Sequence, residues 1–354
     1  MMHNLKTLYI FFVVLALNIF FFSTTNLNAK AFLIEEIEIS EPLANNFDKD
    51  SLINQGFEKA FYELINTLLK SSDLKKINKI RIIEIKSMIE SFSIKEEKFI
   101  NKIYHVNLGV SFDKKKVFKY LESKNIFPTQ IIKETFLFIP IIIDQDDEEI
   151  LIFSNNPLYE RWNDLGIKTS LIKYLLPAED LEHISLIKSK YSDIENYDFE
   201  EIIEKYFLKH SVIALIFKNE KEIKILSKIN IKDKTIIKNN SFKNFDFKDD
   251  NELDTLINKL KIVYEDLWKV HNQINTSIKL PIAIRVDNND LGISLKFEKV
   301  LSDIDLVRNY SINSFDVNFI YYDLIFNGTP GKFINIMKNK NYNFNTQKMV
   351  WILK

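Results

Sequence analysis

The sequence predicts a mixed α+β and α/β protein built from three successive units. Three observations carry that expectation. Residues 103–112 alternate apolar and polar side chains with the period of a half-buried strand. Residues 135–180 join the most apolar run after the N-terminal segment to an acidic turn and two proline-marked helix starts. Residues 249–273 carry one long helical apolar stripe, and a strand–helix–strand–strand–helix–strand order follows it. Strands and helices interleave throughout, so layered sheets covered by helices are expected.

A chain of 354 residues has room for two or three domains, and 46% hydrophobic content is enough to fill their cores. Lys and Arg number 48 against 49 Asp and Glu, a net charge of −1. No basic face is suggested, which argues against nucleic-acid binding. Six glycines leave little material for glycine-dependent phosphate loops.

Residues 1–31 have the pattern of a secretory leader. His3 and Lys6 form a weakly charged start. Leu8 to Phe22 is apolar except for Asn18, and Ala29-Lys30-Ala31 offers a small–x–small cleavage site. The apolar run falls short of the ~20 residues of a membrane span. An uncleaved leader anchoring the chain in the inner membrane is the alternative. Removal with Lys6 and Lys30 leaves 46 basic against 49 acidic side chains, a charge of −3. There is no cysteine, so an exported chain gains no disulfide and has no thiol for a lipid anchor. A soluble periplasmic protein is the expectation, with no membrane span after leader cleavage.

The first unit is expected over residues 32–130. Leu33–Ile39 reads as a strand. Ser51–Lys70 reads as an amphipathic helix with Phe57, Ala60, Phe61, Leu64 and Leu68 on one face. A helix over Ile80–Ile89 and a strand near Ser91–Glu96 come next. Tyr104, Val106, Leu108, Val110 and Phe112 form the buried side of the alternating strand. Asp113 caps a helix through Val117, Tyr120 and Leu121.

The central unit is expected over residues 131–275. Leu137–Ile143 is apolar without alternation, as in a strand buried on both faces. Pro140 lacks an N–H, so this strand is expected at an edge or with a bulge. The acids Asp144–Glu149 form a solvated turn. A calcium loop counted from Asp144 fails, because Glu149 and Asn155 occupy its glycine and carboxylate positions. A strand at Ile150–Phe153 follows. Asn156 and Pro157 start a short helix reaching Asp164, which Gly166 stops. Thr169–Leu176 is a strand, and Pro177, Glu179 and Asp180 open the next helix. A helix at Asp198–Leu208 and strands at Ser211–Phe217, Ile223–Ile231 and Thr235–Ile237 lead to the helix Asp249–Gln273. Its stripe is Leu253, Leu256, Leu260, Val263, Leu267 and Val270.

Residues 276–354 read in the order β-α-β-β-α-β, which is that of a ferredoxin-like split unit. Its strands are Leu280–Val286, Leu306–Ile312, Val317–Phe326 and Lys348–Leu353. Thr329 and Pro330 start the last helix.

The residues that now invite comparison are GFEKAFYELINTLL, YHVNLGVSFDKKKVFKYL, FIPIII with its acidic turn, Glu160-Arg161-Trp162, LLPAEDL and the closing segment with Trp351. Over nearly all of the chain after the leader, they resemble domain-of-unknown-function family 2066 of exported proteobacterial proteins. The resemblance implies no activity and no catalytic residues. The central unit also resembles the α/β domains of periplasmic assembly factors, a likeness of fold alone.

Chemistry is sparse. His105, His183, His210 and His271 form no pair with zinc-ligand spacing. Gly328 and Gly331 before Lys332 lack phosphate-loop spacing, and no nucleophile elbow exists. No catalytic residue, metal site or cofactor is assigned. Arg161, Trp162 and Asp180 are the candidate binding residues. Arginine is rare here against abundant lysine, and its planar fork suits a carboxylate or phosphate. The competing role is an ion pair with Glu160, Asp164 or Glu179, with Trp162 in the core. The leading functional expectation is a non-enzymatic periplasmic interaction or envelope-assembly factor holding an envelope protein. The alternatives are a small-ligand binder or hydrolase with a cleft at the central sheet, and a structural role through self-association.

Overall fold

The computed structural model describes residues 31–354 except 45, 46, 78, 221 and 288–290. The expected leader lies, but for Ala31, outside the described residues. No helix among the described residues is long and apolar enough to cross a membrane. The fold is mixed α+β with three sheets, each built from one interval of the chain.

The first sheet has the order β1 (Ala31–Pro42), β3 (Ile103–Asp113), β2 (Ile89–Ile100), all antiparallel. Asn101 and Lys102 link β2 to β3 with φ of 51° and 62°, the two left-handed residues that a tight hairpin turn requires. The alternation in β3 is realised: Tyr104, Val106, Leu108, Val110 and Phe112 are all buried. They pack on α1 (Lys49–Leu68), α3 (Ile82–Met88) and α4 (Lys114–Ser123). Gly56 of α1 sits against Leu108 and Ile39, where a Cβ would collide with both side chains, so its absence lets helix and sheet approach. A four-residue helix α2 (Ser71–Leu74) follows α1.

The central sheet runs β5 (Glu149–Leu151), β4 (Glu134–Asp144), β7 (His210–Lys218), β8 (Glu222–Ile231), β9 (Lys234–Lys243). β6 (Ile172–Leu175) also pairs with β4. Every residue of β4 from Phe136 to Asp144 is buried. Its side chains feed two cores, as a strand buried on both faces must. Phe138 and Ile142 pack toward α8 (Asp250–His271), and Leu137, Ile139 and Ile141 pack toward α6 (Leu181–Ser189) and α7 (Glu200–Glu204).

Pro140 corrects the expectation of an edge strand or bulge. β4 is interior, and its register with β7 is unbroken through Pro140↔Ala214. On its other side, β6 pairs with residues 134–137 and β5 with residues 142–144, leaving a gap between them. The Pro140 carbonyl faces that gap and accepts from Asn156 Nδ2 at 3.0 Å. In a strand the N–H and C=O of one residue point the same way, so the missing donor also falls in the gap. Asn156, fully buried, donates a second bond to the Leu151 carbonyl at 3.3 Å. Its Oδ1 accepts from the Leu158 amide at 3.0 Å and caps α5 (Pro157–Arg161).

Other differences are shifts of boundary. α5 ends at Arg161 rather than Asp164, because Lys261 Nζ takes the Trp162 and Leu165 carbonyls at 2.5 and 2.7 Å. Gly166 does not adopt the left-handed conformation of a helix stop. The strand expected to reach Phe153 ends at Leu151, where a 3₁₀ turn begins with Phe153 at φ 54°. α7 spans only Glu200–Glu204, entered through Phe199 at φ 63°. β9 extends to Lys243 because all ten of its residues pair with β8. On α8, Ile257, Tyr264 and Trp268 join the buried stripe while Val270 is 49% exposed.

The third sheet runs β11 (Val307–Phe315), β12 (Phe319–Phe326), β10 (Leu280–Asp287), β14 (Val350–Leu353), β13 (Phe344–Asn345). α9 (Leu291–Asp303) and α10 (Pro330–Lys338) complete the expected β-α-β-β-α-β order. One strand is added. β13 lies at the edge, and β14 turns back between it and β10, running parallel to β10.

The C-terminal half of α8 holds the first and central intervals together. Lys269 Nζ donates to the Asn66 and Leu69 carbonyls at the end of α1, at 2.6 and 3.0 Å. Asp266 accepts from the Ser71 amide at 2.7 Å. Glu265 accepts from the Leu171 amide at 2.8 Å, and Trp268 Nε1 donates to the Ile132 carbonyl at 2.8 Å.

Asn156→Ala removes a helix cap and strands the Pro140 carbonyl in the core. A loss of about 2–3 kcal/mol of unfolding free energy is expected in a denaturant titration. Asn163→Ala, on the neighbouring exposed turn, serves as the control with little change.

Candidate functional site

The structure does not gather Arg161, Trp162 and Asp180 into one site. Arg161 grips Asp254 with two guanidinium nitrogens, Nη2 at 3.0 Å, and its Nη1 meets Asp250 at 3.0 Å. Its partners are therefore the first turns of α8 and not Glu160, Asp164 or Glu179. Glu179 instead accepts from Ser154 Oγ at 3.3 Å. Nothing in the local sequence marks Asp254, which stands 93 residues away.

Trp162 is fully buried. Its ring stacks on Phe138 with centroids 3.7 Å apart and meets Tyr174 edge-on at 5.3 Å. Lys261 lies 5.1 Å above the same ring. Burial lowers the Lys261 ammonium to about 8. The Lys261 amine closes a turn and packs a tryptophan. Asp180 caps α6, accepting from the Glu182 amide at 2.8 Å, and α6 packs on the face of the sheet away from Trp162.

The histidines fall into separate settings. Phe136, His210, Trp268 and His271 follow one another in ring contact, with centroids 4.8, 5.1 and 5.6 Å apart; the outer two contacts are stacked and His210 meets Trp268 edge-on. Burial, with lysines such as Lys232 nearby, lowers both imidazoles from 6.5. No cluster of three or more metal-ligating side chains occurs among the described residues.

Part of the exposed apolar surface lies along the edge strand β2. β2 is a 12-residue edge strand bonded only to β3. Phe92, Ile94 and Phe99 stand opposite Val110, Leu108 and Tyr104, so they share the face that carries α1. Yet Phe92 is 50%, Ile94 40% and Phe99 66% exposed. Phe92 meets Phe57 of α1 edge-on at 5.0 Å, and Phe99 lies 4.7 Å from Tyr104. The core thus continues out to the edge and stops without cover. The middle of β2 is charged: Lys98 pairs with Glu96 at 2.6 Å, and Glu97 with Lys49 at 2.7 Å. Such charges discourage indiscriminate edge pairing while leaving the outward backbone groups open. Sequence reasoning placed a strand here but not its position at an edge, which depends on partners set by tertiary structure.

No family model matches this chain, and a search of curated proteins finds no significant match.

Two outcomes follow from these placements. Trp162→Ala should cost about 3–5 kcal/mol in a denaturant melt, as removal of a packed indole does. Acidification supplies the second. Groups whose folded pKa is depressed favour the unfolded chain once it takes up protons, so stability falls as pH drops below about 6.5. Unfolding midpoints measured between pH 7.5 and 5 should fall, and His210→Phe should flatten part of that fall.

Proposed function

We propose that the chain is an exported envelope protein that acts by holding a partner rather than by catalysis. The observation that carries this reading is the open edge of β2. An incoming extended segment would find a row of free backbone groups and, beside it, the half-covered Phe92, Ile94 and Phe99. Strand addition of this kind draws affinity from main-chain hydrogen bonds and specificity from alternate side chains. The occupant is a segment of an envelope protein with apolar residues at every second position. Periplasmic residence rests on the N-terminal leader pattern, and kinship with domain-of-unknown-function family 2066 rests on the motifs quoted above. Both belong to the proposal.

The test is site-specific photo-crosslinking in cells that export the chain. A photoreactive residue at Phe99 should give one discrete adduct with an envelope protein, while the same residue at Lys340 should not. Glu97→Pro, at a position whose N–H faces away from β3, should leave the purified protein folded and abolish the adduct. Equal adducts at both positions, or none at Phe99, would overturn the reading. A product found in the cytosol would remove its premise.

A further inference from the structure

A second feature, independent of the β2 edge, lies where α4 meets the third sheet. A cleft of about 250 Å³ opens there. Space of that size equals roughly eight waters. Phe118 of α4 and Val307 of β11 give it an apolar lining, and Phe118 packs against both the first and third cores.

Its charged groups divide in two. Asp305 is engaged by Lys114, whose side chain is only 10% exposed. Glu122 is engaged by Arg308 at 3.0 Å and by Lys279 at 3.1 Å. Both acids of the lining are thus neutralised by cations. Lys115 and Lys119 also line the cleft, and neither has an ion-pair partner among the described residues.

Those two lysines stand four residues apart on one helix face, an arrangement that disfavours the helix when both are charged. Lys115 also lies in the first turn of α4, at the positive end of its dipole. A bound anion would reverse the sign of both effects. Thr276 adds a polar point: it lines the cleft, is 3% exposed, and its hydroxyl has no hydrogen-bond partner among the described residues.

We infer that this cleft binds a small organic acid with an apolar body. Its carboxylate sits at the Lys115 and Lys119 rim, and its hydrocarbon part lies against Phe118 and Val307. The site takes its walls from α4 on one side and from Thr276, the segment 305–309 and Asn327 on the other, so an occupant would tie the first sheet's helix to the third sheet.

Calorimetric titration of the whole purified chain with 4-phenylbutyrate tests this. Saturable binding is expected, weakening as salt rises from 0.05 to 0.5 M. The uncharged 4-phenylbutyramide and inorganic phosphate should each bind at least tenfold more weakly, since each lacks one half of the recognition. Lys115→Glu with Lys119→Glu should lower affinity at least tenfold with a melting temperature no lower than that of the unsubstituted chain, because both side chains are exposed and an acid suits the first turn of α4. No binding at millimolar acid would overturn the inference. So would equal binding of phosphate, which marks unspecific anion attraction, or affinity indifferent to the double substitution.

Discussion

Four side chains on two turns of one helix determine how this chain is joined together. Glu265, Asp266, Trp268 and Lys269 of α8 bond backbone groups of three distant segments, at Leu171, at Ile132 and over residues 66–71. Lys269 is the most constrained. Its side chain is buried, and it draws the Asn66 and Leu69 carbonyls at the end of α1 onto the helix that also roofs the central sheet. A helix C-terminus favours a cation, and a buried ammonium needs acceptors, so each half of this contact supplies what the other lacks. The cost of desolvating Lys269 is met by two fixed backbone carbonyls, with the Glu265 carboxylate 3.9 Å away.

This arrangement also shows which parts of the molecule were readable beforehand. The faces of α1 and β3 were, because burial on one side writes a period into neighbouring residues. The cap at Asn156 was, because proline at the first helical position is a local signal. Lys261 and Lys269 were not. A lysine on a helix counts as polar, and only carbonyls brought from elsewhere make it an interior group. Arg161 illustrates the same limit. Its rarity marked it as a residue with a specific partner, yet that partner arrived from α8. Pro140 was read by a sound rule with an incomplete list of solutions, since a gap between two neighbours serves as well as an edge. The candidate site was the least legible. Sheet edges and the cleft at α4 depend on which elements end up side by side.

The three sheets differ in what they leave uncovered. The central sheet is packed on both faces by helices. The first sheet carries its core to an uncovered margin at β2, and the third meets α4 across ion pairs with a space between them. Of the three residues singled out for binding, Arg161 pairs with Asp254 and Asp250, Trp162 packs in the core and Asp180 caps α6. The two binding roles proposed above are placed at such a margin and such a junction.

The break in pairing at Pro140 has one more consequence. β5 and β6 grip opposite ends of β4 while running in opposite directions, and Asn156 bridges the interval between them. A slide of β4 by one residue would have to undo two ladders of unlike polarity at once and turn its two apolar faces inside out. The strand is therefore indexed like a key cut at both ends, and misthreaded versions of the central sheet have no foothold from which to compete.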